Sequence, residues 1–330
     1  MNEKGIGVLE EYPLEVYSVR KGRGILIADT SEGLKKVVEF KGMPGHADFQ
    51  NQVQEKLWKQ AGIRTDRFVK NREEQLITMD KDGRKYVLKD HIQGSECDLK
   101  NEQDIILLVR NLARLHRYLR FDGDLEQQAE FCIRQPLEVE YEKHNRELRK
   151  IRKFIRKRSS NSVFENKFLK EFELFYAQGE EALEMLKASQ CEKLTKESIA
   201  QGFICHGDYN YHNVLLERNS CATVNFEKCH VGIQMEDLYQ FMRKILEKSN
   251  WDIRLGRRIF SEYNNVRCIN SIERENLYIR LKYPEKFWKL ANQYYNSNKA
   301  WISEKTLEKL EITAAQNQRK QEFLKKFMEF

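Results

Sequence analysis

The chain has 330 residues, 33% of them charged and 40% hydrophobic, with a formal net charge of +7. That length exceeds what one small core takes and points to two lobes of unequal size. No run approaches the roughly eighteen apolar residues of a membrane span, and Met1-Asn2-Glu3-Lys4-Gly5 lacks the apolar core of an export signal, so a soluble chain without a standard leader is expected. The seven cysteines (97, 132, 191, 205, 221, 229 and 268) are scattered, odd in number and free of any Cys-x-x-Cys pair. This argues against a zinc site or a disulfide framework and for synthesis in a reducing compartment.

Leu14-Glu15-Val16-Tyr17-Ser18-Val19 reads as a strand, Lys21-Gly22-Arg23-Gly24 as a turn and Ile25-Leu26-Ile27-Ala28 as a second strand. Backbone amides at Gly22 and Gly24 are able to approach phosphates, although an ordinary β-turn is the preferred reading. Lys36-Val37-Val38-Glu39-Phe40 gives a third strand, and a helix follows over roughly 46–61. Leu76-Ile77-Thr78-Met79, a turn through Asp82-Gly83, and Tyr86-Val87-Leu88 form a hairpin. After residue 101 helical periodicity dominates, and the four prolines in the chain leave few helix breakers. The expected fold is α+β: a β-rich N-terminal lobe over residues 1–94, with an antiparallel sheet and one helix, and a helical C-terminal lobe over 95–330. The join is placed near Gly94-Ser95-Glu96.

Residues 206–213, His-Gly-Asp-Tyr-Asn-Tyr-His-Asn, are the densest cluster of chemically capable side chains. They lie between apolar Phe203-Ile204 and the run Val214-Leu215-Leu216, as a loop between buried elements does. A phosphotransferase needs this set: Asp208 to accept the proton of an attacking hydroxyl, and Asn213 to place an amide oxygen on a Mg²⁺ that bridges nucleotide phosphates. His206 is expected to pack beneath the loop and hold it. His212 and His230 are framed by no carboxylate or cysteine pattern and are read as hydrogen-bonded or exposed histidines.

The octet resembles the catalytic loop of aminoglycoside-phosphotransferase-like kinases. That resemblance implies a metal-binding aspartate about twelve residues past Asn213. Val224-Asn225-Phe226-Glu227 stands there, with asparagine at the expected aspartate. Asparagine keeps the shape and one oxygen acceptor but removes the negative charge by which a hard divalent cation is mostly held. Glu227 is the remaining carboxylate for a metal. Further landmarks resemble the CotS family of bacterial spore coat proteins over about residues 12–312. Tyr86 to Asp98 looks like the strand, hinge and following loop, and Leu112-Ala113-Arg114-Leu115-His116 like the first large-lobe helix. Tyr283-Pro284-Glu285-Lys286-Phe287-Trp288 and the stretch from Tyr294 to Trp301 look like the closing helices.

The resemblance implies a kinase-like fold, synthesis in the cytoplasm of a sporulating cell and a place in the spore coat. It also implies a third-strand lysine that contacts nucleotide phosphates. Aligning Val37-Val38-Glu39-Phe40-Lys41-Gly42 with that strand puts Val38 at the lysine position; a register slipped by two recruits Lys36, on the same face. The unslipped register is preferred. Gln50, Gln54 and Glu55 are the candidates on the following helix for the lysine's partner. ATP and Mg²⁺ are therefore expected to bind weakly or not at all.

Residues 143–158 contain nine Lys or Arg and one acid, Glu147. The basic residues follow helical spacing, with Leu148, Ile151 and Ile155 on an opposing stripe. Such a face suits an acidic coat protein or an anionic envelope polymer; without a base-reading module, nucleic acid is disfavoured. Two functional classes follow. One is a degenerate kinase fold serving as an assembly or interaction protein, and this is preferred. The other is a working phosphotransferase on a small molecule or a coat-protein hydroxyl, with Asp208 as base and Asn213 and Glu227 on the metal.

Overall fold

A computed structural model describes residues 5–22, 24–123, 133–217, 220–296 and 304–330. Arg23 of the first turn, Cys132 and the stretch 297–301 of the closing landmarks lie outside these residues. The chain forms two compact units, Met1–Arg134 with Ile199–Gln234 and Gln135–Ser198 with Met235–Phe330. The octet therefore belongs to the same unit as the N-terminal sheet.

In the first unit, strands β1 (Val16–Lys21), β2 (Leu26–Thr30), β3 (Gly33–Glu39), β5 (Phe68–Val69), β6 (Thr78–Met79) and β7 (Lys85–Asp90) make one antiparallel sheet. Its order is β1-β2-β3-β7-β5, with β6 also paired to β7. One face packs Leu26, Ala28, Val37, Tyr86 and Leu88 against a 3-10 helix, Ile6–Glu11, through Val8, Leu9 and Tyr12. The other face carries Val38 and Val87 against Phe40, Phe68, Leu76 and Ala47, the last on α1 (Pro44–Ala61). Both central strands are thus covered on both sides, so the apolar residues of β3 and β7 fall in the consecutive runs Val37-Val38 and Tyr86-Val87-Leu88 rather than in alternation. The lysines of these strands are the exceptions. Pro44 opens α1 and left-handed Gly62 closes it, each at the position its backbone favours.

A second sheet has the order β4-β11-β10-β8: β4 (Arg64–Thr65), β8 (Ser95–Glu96), β10 (Val214–Leu216) and β11 (Cys221–Thr223). Helix α2 (Glu102–Tyr118) starts at Asn101, whose side chain accepts from the Gln103 amide, and buries the stripe Ile105, Leu108, Val109, Leu112 and Leu115. Strand β9 (Ile204–Cys205) pairs with β12 (His230–Val231). The sheet and α1 appear where the sequence put them. The short strands β4, β5 and β8 were not foreseen.

The second unit is helical: α3 (Leu137–Arg156), α4 (Val163–Ala188), α5 (Cys191–Ala200), α6 (Met235–Lys248), α7 (Ile253–Val266), α8 (Ser271–Lys282), α9 (Glu285–Asn296), α10 (Glu304–Ala315) and α11 (Asn317–Phe327). Capping boxes at Ser162/Glu165 and Asn270/Glu273 start α4 and α8. The core sets Leu148, Ile151 and Ile155 of α3 against Phe168, Phe172 and Phe175 of α4 and Phe287 of α9.

Lys320 of α11 is buried, and its ammonium donates to the Lys282 and Tyr283 carbonyls at 3.0 and 3.2 Å. Burial, only partly relieved by Glu247, lowers its pKa from 10.5 to about 7. Between those values the unfolded chain binds the extra proton, so stability should rise with pH from about 7 toward 10, by up to about 1.4 kcal/mol per pH unit. Urea unfolding at pH 7 and pH 9 checks this. Lys320→Met should flatten the rise.

Candidate functional site

The octet is a frame of buried anchors carrying outward groups. Fully buried His206 accepts the Asp208 amide on Nδ1 at 3.2 Å and donates from Nε2 to the Val224 carbonyl at 3.0 Å. It lies beneath the loop, as expected. Tyr209, also fully buried, donates its hydroxyl to the Leu108 carbonyl at 2.7 Å and accepts from Asn111 at 3.0 Å. Gly207 has φ 79°, and a Cβ there would stand 2.0 Å from the Lys228 carbonyl oxygen, so only glycine fits. Asn213 Nδ2 donates to the Asp208 carbonyl at 2.9 Å, and Val224 N to the Asn213 carbonyl at 2.9 Å. Asp208, Asn213 and Asn225 are brought together.

The structure revises the third-strand register. Lys36 and Lys89 are cross-strand partners on β3 and β7, as are Val38 and Val87. Val38 packs into the apolar cluster with Phe40 and Phe68. Lys36 Nζ reaches the loop instead, 3.0 Å from Asn225 Oδ1 and 2.8 Å from Asp66 Oδ2. The slipped register is therefore the geometric one, because the apolar cluster over α1 claims Val38 and leaves the position nearer the loop to the ammonium.

Asp66 was not foreseen. It is fully buried between β4 and β5, and the parallel pairing of β4 with β11 delivers it beside Asn225. Its carboxylate accepts from Lys36, from Gln54 Nε2 at 3.0 Å and from the Asn225 amide at 3.1 and 3.2 Å. It fills the lysine's partner role for which Gln50, Gln54 and Glu55 were candidates. Gln54 binds Asp66, and Gln50 Oε1 lies 3.4 Å from Lys89 Nζ. Glu55 pairs instead with Lys59 and Arg67.

Lys89 is a second buried ammonium, 2.8 Å from Glu227 Oε1 and 4.3 Å from the Phe68 ring centre. Burial opposes its charge, but the Asp66 and Glu227 carboxylates outweigh that and hold its pKa above the usual lysine range. A lysine inside the apolar run Tyr86-Val87-Leu88 was the available signal, since such a charge needs a carboxylate. Asp208 meets Lys228 at 2.8 Å, His212 meets Glu96 at 2.8 Å, and His230 Nδ1 lies 3.1 Å from the Lys228 carbonyl. Gly22 donates its amide to Ile25 in the β1–β2 turn, where Gly24 has φ 74°.

Asn225 has the left-handed φ of 66°, which asparagine tolerates better than most residues. Its amide is oriented by its neighbours: Oδ1 accepts from Lys36, and Nδ2 donates to Asn213 Oδ1 at 2.8 Å. Of the three residues expected to hold Mg²⁺, Asn213 and Asn225 are neutral and hydrogen-bonded to each other, and Glu227 is paired with Lys89. The Asp66 carboxylate beside them is occupied by donors. Among the described residues, no three His, Cys, Asp or Glu are grouped to hold a metal ion. In this arrangement the side-chain oxygens of Asn225 and Asn213 both accept from protein donors.

A sheet with a buried third-strand lysine, an adjoining catalytic-type loop and a second segment bonded to it define a kinase-like protein of the aminoglycoside-phosphotransferase type. The structure is similar to an aminoglycoside phosphotransferase from Alicyclobacillus acidocaldarius, with TM-score 0.85 and 18% identity, covering 98% of this chain and 95% of that one. It is also similar to spectinomycin phosphotransferase APH(9)-Ia in complex with ADP and spectinomycin, with TM-score 0.61, 15% identity and coverage of 93% and 95%. The chain belongs to a spore coat kinase-like family: residues 8–327 match the family described as spore coat putative kinase YutH. It is 27% identical over 171 residues to spore coat protein S of Bacillus subtilis (strain 168), 51% of this chain and 49% of that protein. The match thus spans about half the length of this curated relative. No described helix is long and apolar enough to cross a membrane.

Proposed function

We propose that this protein is an assembly or interaction component of the spore coat in which a kinase-like fold retains little or no phosphotransfer. The observation that carries the reading is the direct hydrogen bond from Asn225 Nδ2 to Asn213 Oδ1, which joins two neutral residues where a metal carboxylate is needed. The Asp208–Lys228 pair supports it, because the ammonium occupies the carboxylate oxygen that an attacking hydroxyl would approach. Calorimetry with ATP, with and without Mg²⁺, is the test: weak binding that Mg²⁺ does not strengthen is expected, and Asp208→Ala should barely change spore assembly. Robust ATP turnover abolished by Asp208→Ala overturns the reading. One observation favours the alternative of an active phosphotransferase: Lys36, not an apolar residue, stands at the loop, so Asn225 is the remaining departure from the expected pattern.

The partner surface in this reading is α3 with the residues that follow it. Of the nine basic residues in 143–158, Arg152 pairs with Glu173 and lies over the Phe172 ring, and Arg158 pairs with Glu165 at 2.5 Å. The other seven are exposed and make no ion pair among the described residues. Leu148, Ile151 and Ile155 are buried beneath them. So many like charges on one face repel one another, which an acidic coat protein or anionic envelope polymer would relieve. Because each exposed pair contributes only about 0.2–1 kcal/mol, single substitutions should look nearly normal. Replacing Arg149, Lys150, Lys153, Arg156 and Lys157 together by glutamine should leave circular dichroism unchanged but lower retention on spores. Wild-type retention should fall as salt rises. Retention insensitive to both would leave the face as solvated surface only.

A further inference from the structure

In the helical unit, α4, α6, the junction of α8 with α9, α10 and α11 surround a cavity of about 30 Å³, room for about two waters. Lys320 lines it. Other buried cations of this unit stand beside carboxylates: Arg243 beside Glu247 at 2.5 Å, Lys282 beside Glu181 at 2.8 Å and Arg280 beside Glu236 at 3.8 Å. Lys320 has no carboxylate within ion-pair distance among the described residues. Two positions around its Nζ are taken by the Lys282 and Tyr283 carbonyls, and the third meets no acceptor among those residues. Arg243, also buried, has the complementary lack: Nη1 meets Glu247, but Nε has no acceptor. Both side chains line the cavity, and the Arg243 charge acts on Lys320. Glu285, Lys286 and Phe287 of α9 line it too. The first bond of that helix runs from the Trp288 amide to the Pro284 carbonyl, so these three amides have no partner within the helix.

We propose that Lys320 is a carbamylation site, which takes up carbon dioxide as a carbamate whose oxygens accept from Arg243 Nε and the first-turn amides of α9. Burial without a counter-charge favours the uncharged amine, in keeping with a pKa lowered to about 7, so at neutral pH much of Lys320 carries a lone pair. That lone pair attacks the carbon of carbon dioxide. The N–C bond forms, one C–O π pair moves onto oxygen and one nitrogen proton passes to solvent; no oxidant or reductant takes part. Of the charges around Lys320, Glu247 on α6 and Glu285 on α9 oppose the new anion, while Arg243 on α6, Lys282 on α8 and Lys286 on α9 favour it. The unmet Nε donor and the helix amides decide the balance. The volume selects the ligand: a linear molecule of three atoms suits about 30 Å³, and a phosphate ester does not. Entry needs one movement. The Trp251 ring centre lies 5.5 Å from Lys320 Nζ, and Trp251 also borders an open groove of about 350 Å³ beside Asp252 and Arg319. A carbamate here makes the stability of the helical unit respond to dissolved carbon dioxide.

Carbon-13 NMR of the full chain, with nitrogen-15 at every lysine Nζ and carbon-13 bicarbonate added at pH 8, tests the assignment. Wild type should show a bound resonance, separate from free bicarbonate and split by one-bond coupling to nitrogen-15. A bicarbonate ion resting in the cavity gives no splitting. Lys320→Met should abolish the split resonance, and Lys150→Met, which removes an exposed lysine, should leave it unchanged. Arg243→Lys keeps a cation beside Glu247 but loses Nε, so occupancy should fall several-fold in a variant that circular dichroism shows to be folded. Wild type unfolded in guanidinium chloride should also lose the resonance, because Lys320 then regains an ordinary lysine pKa. That comparison needs no variant and holds if Lys320→Met does not fold. An unsplit or missing resonance in folded wild type, or a split one of equal intensity in Lys320→Met or in the unfolded chain, overturns the proposal. Occupancy indifferent to Arg243→Lys overturns the place given to that guanidinium.

Discussion

Lys36→Met should lower the free energy of unfolding by about 3–5 kcal/mol, because it strips the Asp66 carboxylate of its ammonium while that carboxylate stays buried. The donors that remain, Gln54 Nε2 and the Asn225 amide, are neutral and do not cancel a charge. Asp66→Asn in the same chain should recover more than half of the loss, since it removes the orphaned charge yet keeps an acceptor for those donors. Urea unfolding followed by circular dichroism measures both. Lys89→Met is the informative contrast: Glu227 has an exposed side chain that turns to water, so the cost should be clearly smaller. A Lys36→Met protein as stable as Lys89→Met would remove the buried pair from the account of this site.

Asn225→Asp should create a metal response that wild type lacks. Without metal, the substitution gives up the bond from Nδ2 to Asn213 and places a carboxylate beside Asp66, so a loss of about 1–3 kcal/mol is expected. With Mg²⁺ or Mn²⁺, the new carboxylate and the Asn213 oxygen face one position, and a cation at a hundred times its dissociation constant returns about 2.7 kcal/mol. Thermal unfolding with and without the cation shows whether the sign reverses, and Mg·ATP affinity should increase in parallel. If wild type gains the same stabilisation from the cation, the amide pair is no barrier to metal and the proposed loss of function fails with it.

The octet was legible because its chemistry is local: His206, Asp208 and Asn213 act at fixed spacings within eight residues, and Asn225 follows at a set distance. The sheet and α1 were legible from period and turn residues. Lys36 and Val38 could not be separated by period, because a shift of two keeps the same face of a strand. What separates them is the pairing of β3 with β7, together with the carboxylate of Asp66. Asp66 was beyond local reading, since it depends on β4 lying parallel to β11, more than 150 residues later in the chain. The Lys89–Glu227 pair likewise joins positions 138 residues apart.

The Gly207 approach to the Lys228 carbonyl, the β9–β12 pairing and the bond from Val224 N to the Asn213 carbonyl fix the two halves of the site through their main chains. None of these contacts depends on the side chain at 225. Asparagine and aspartate codons differ by one base, at the first position. The asparagine and the aspartate forms of this site are therefore neighbours in sequence space, separated by a single transition on a backbone whose contacts do not involve that side chain.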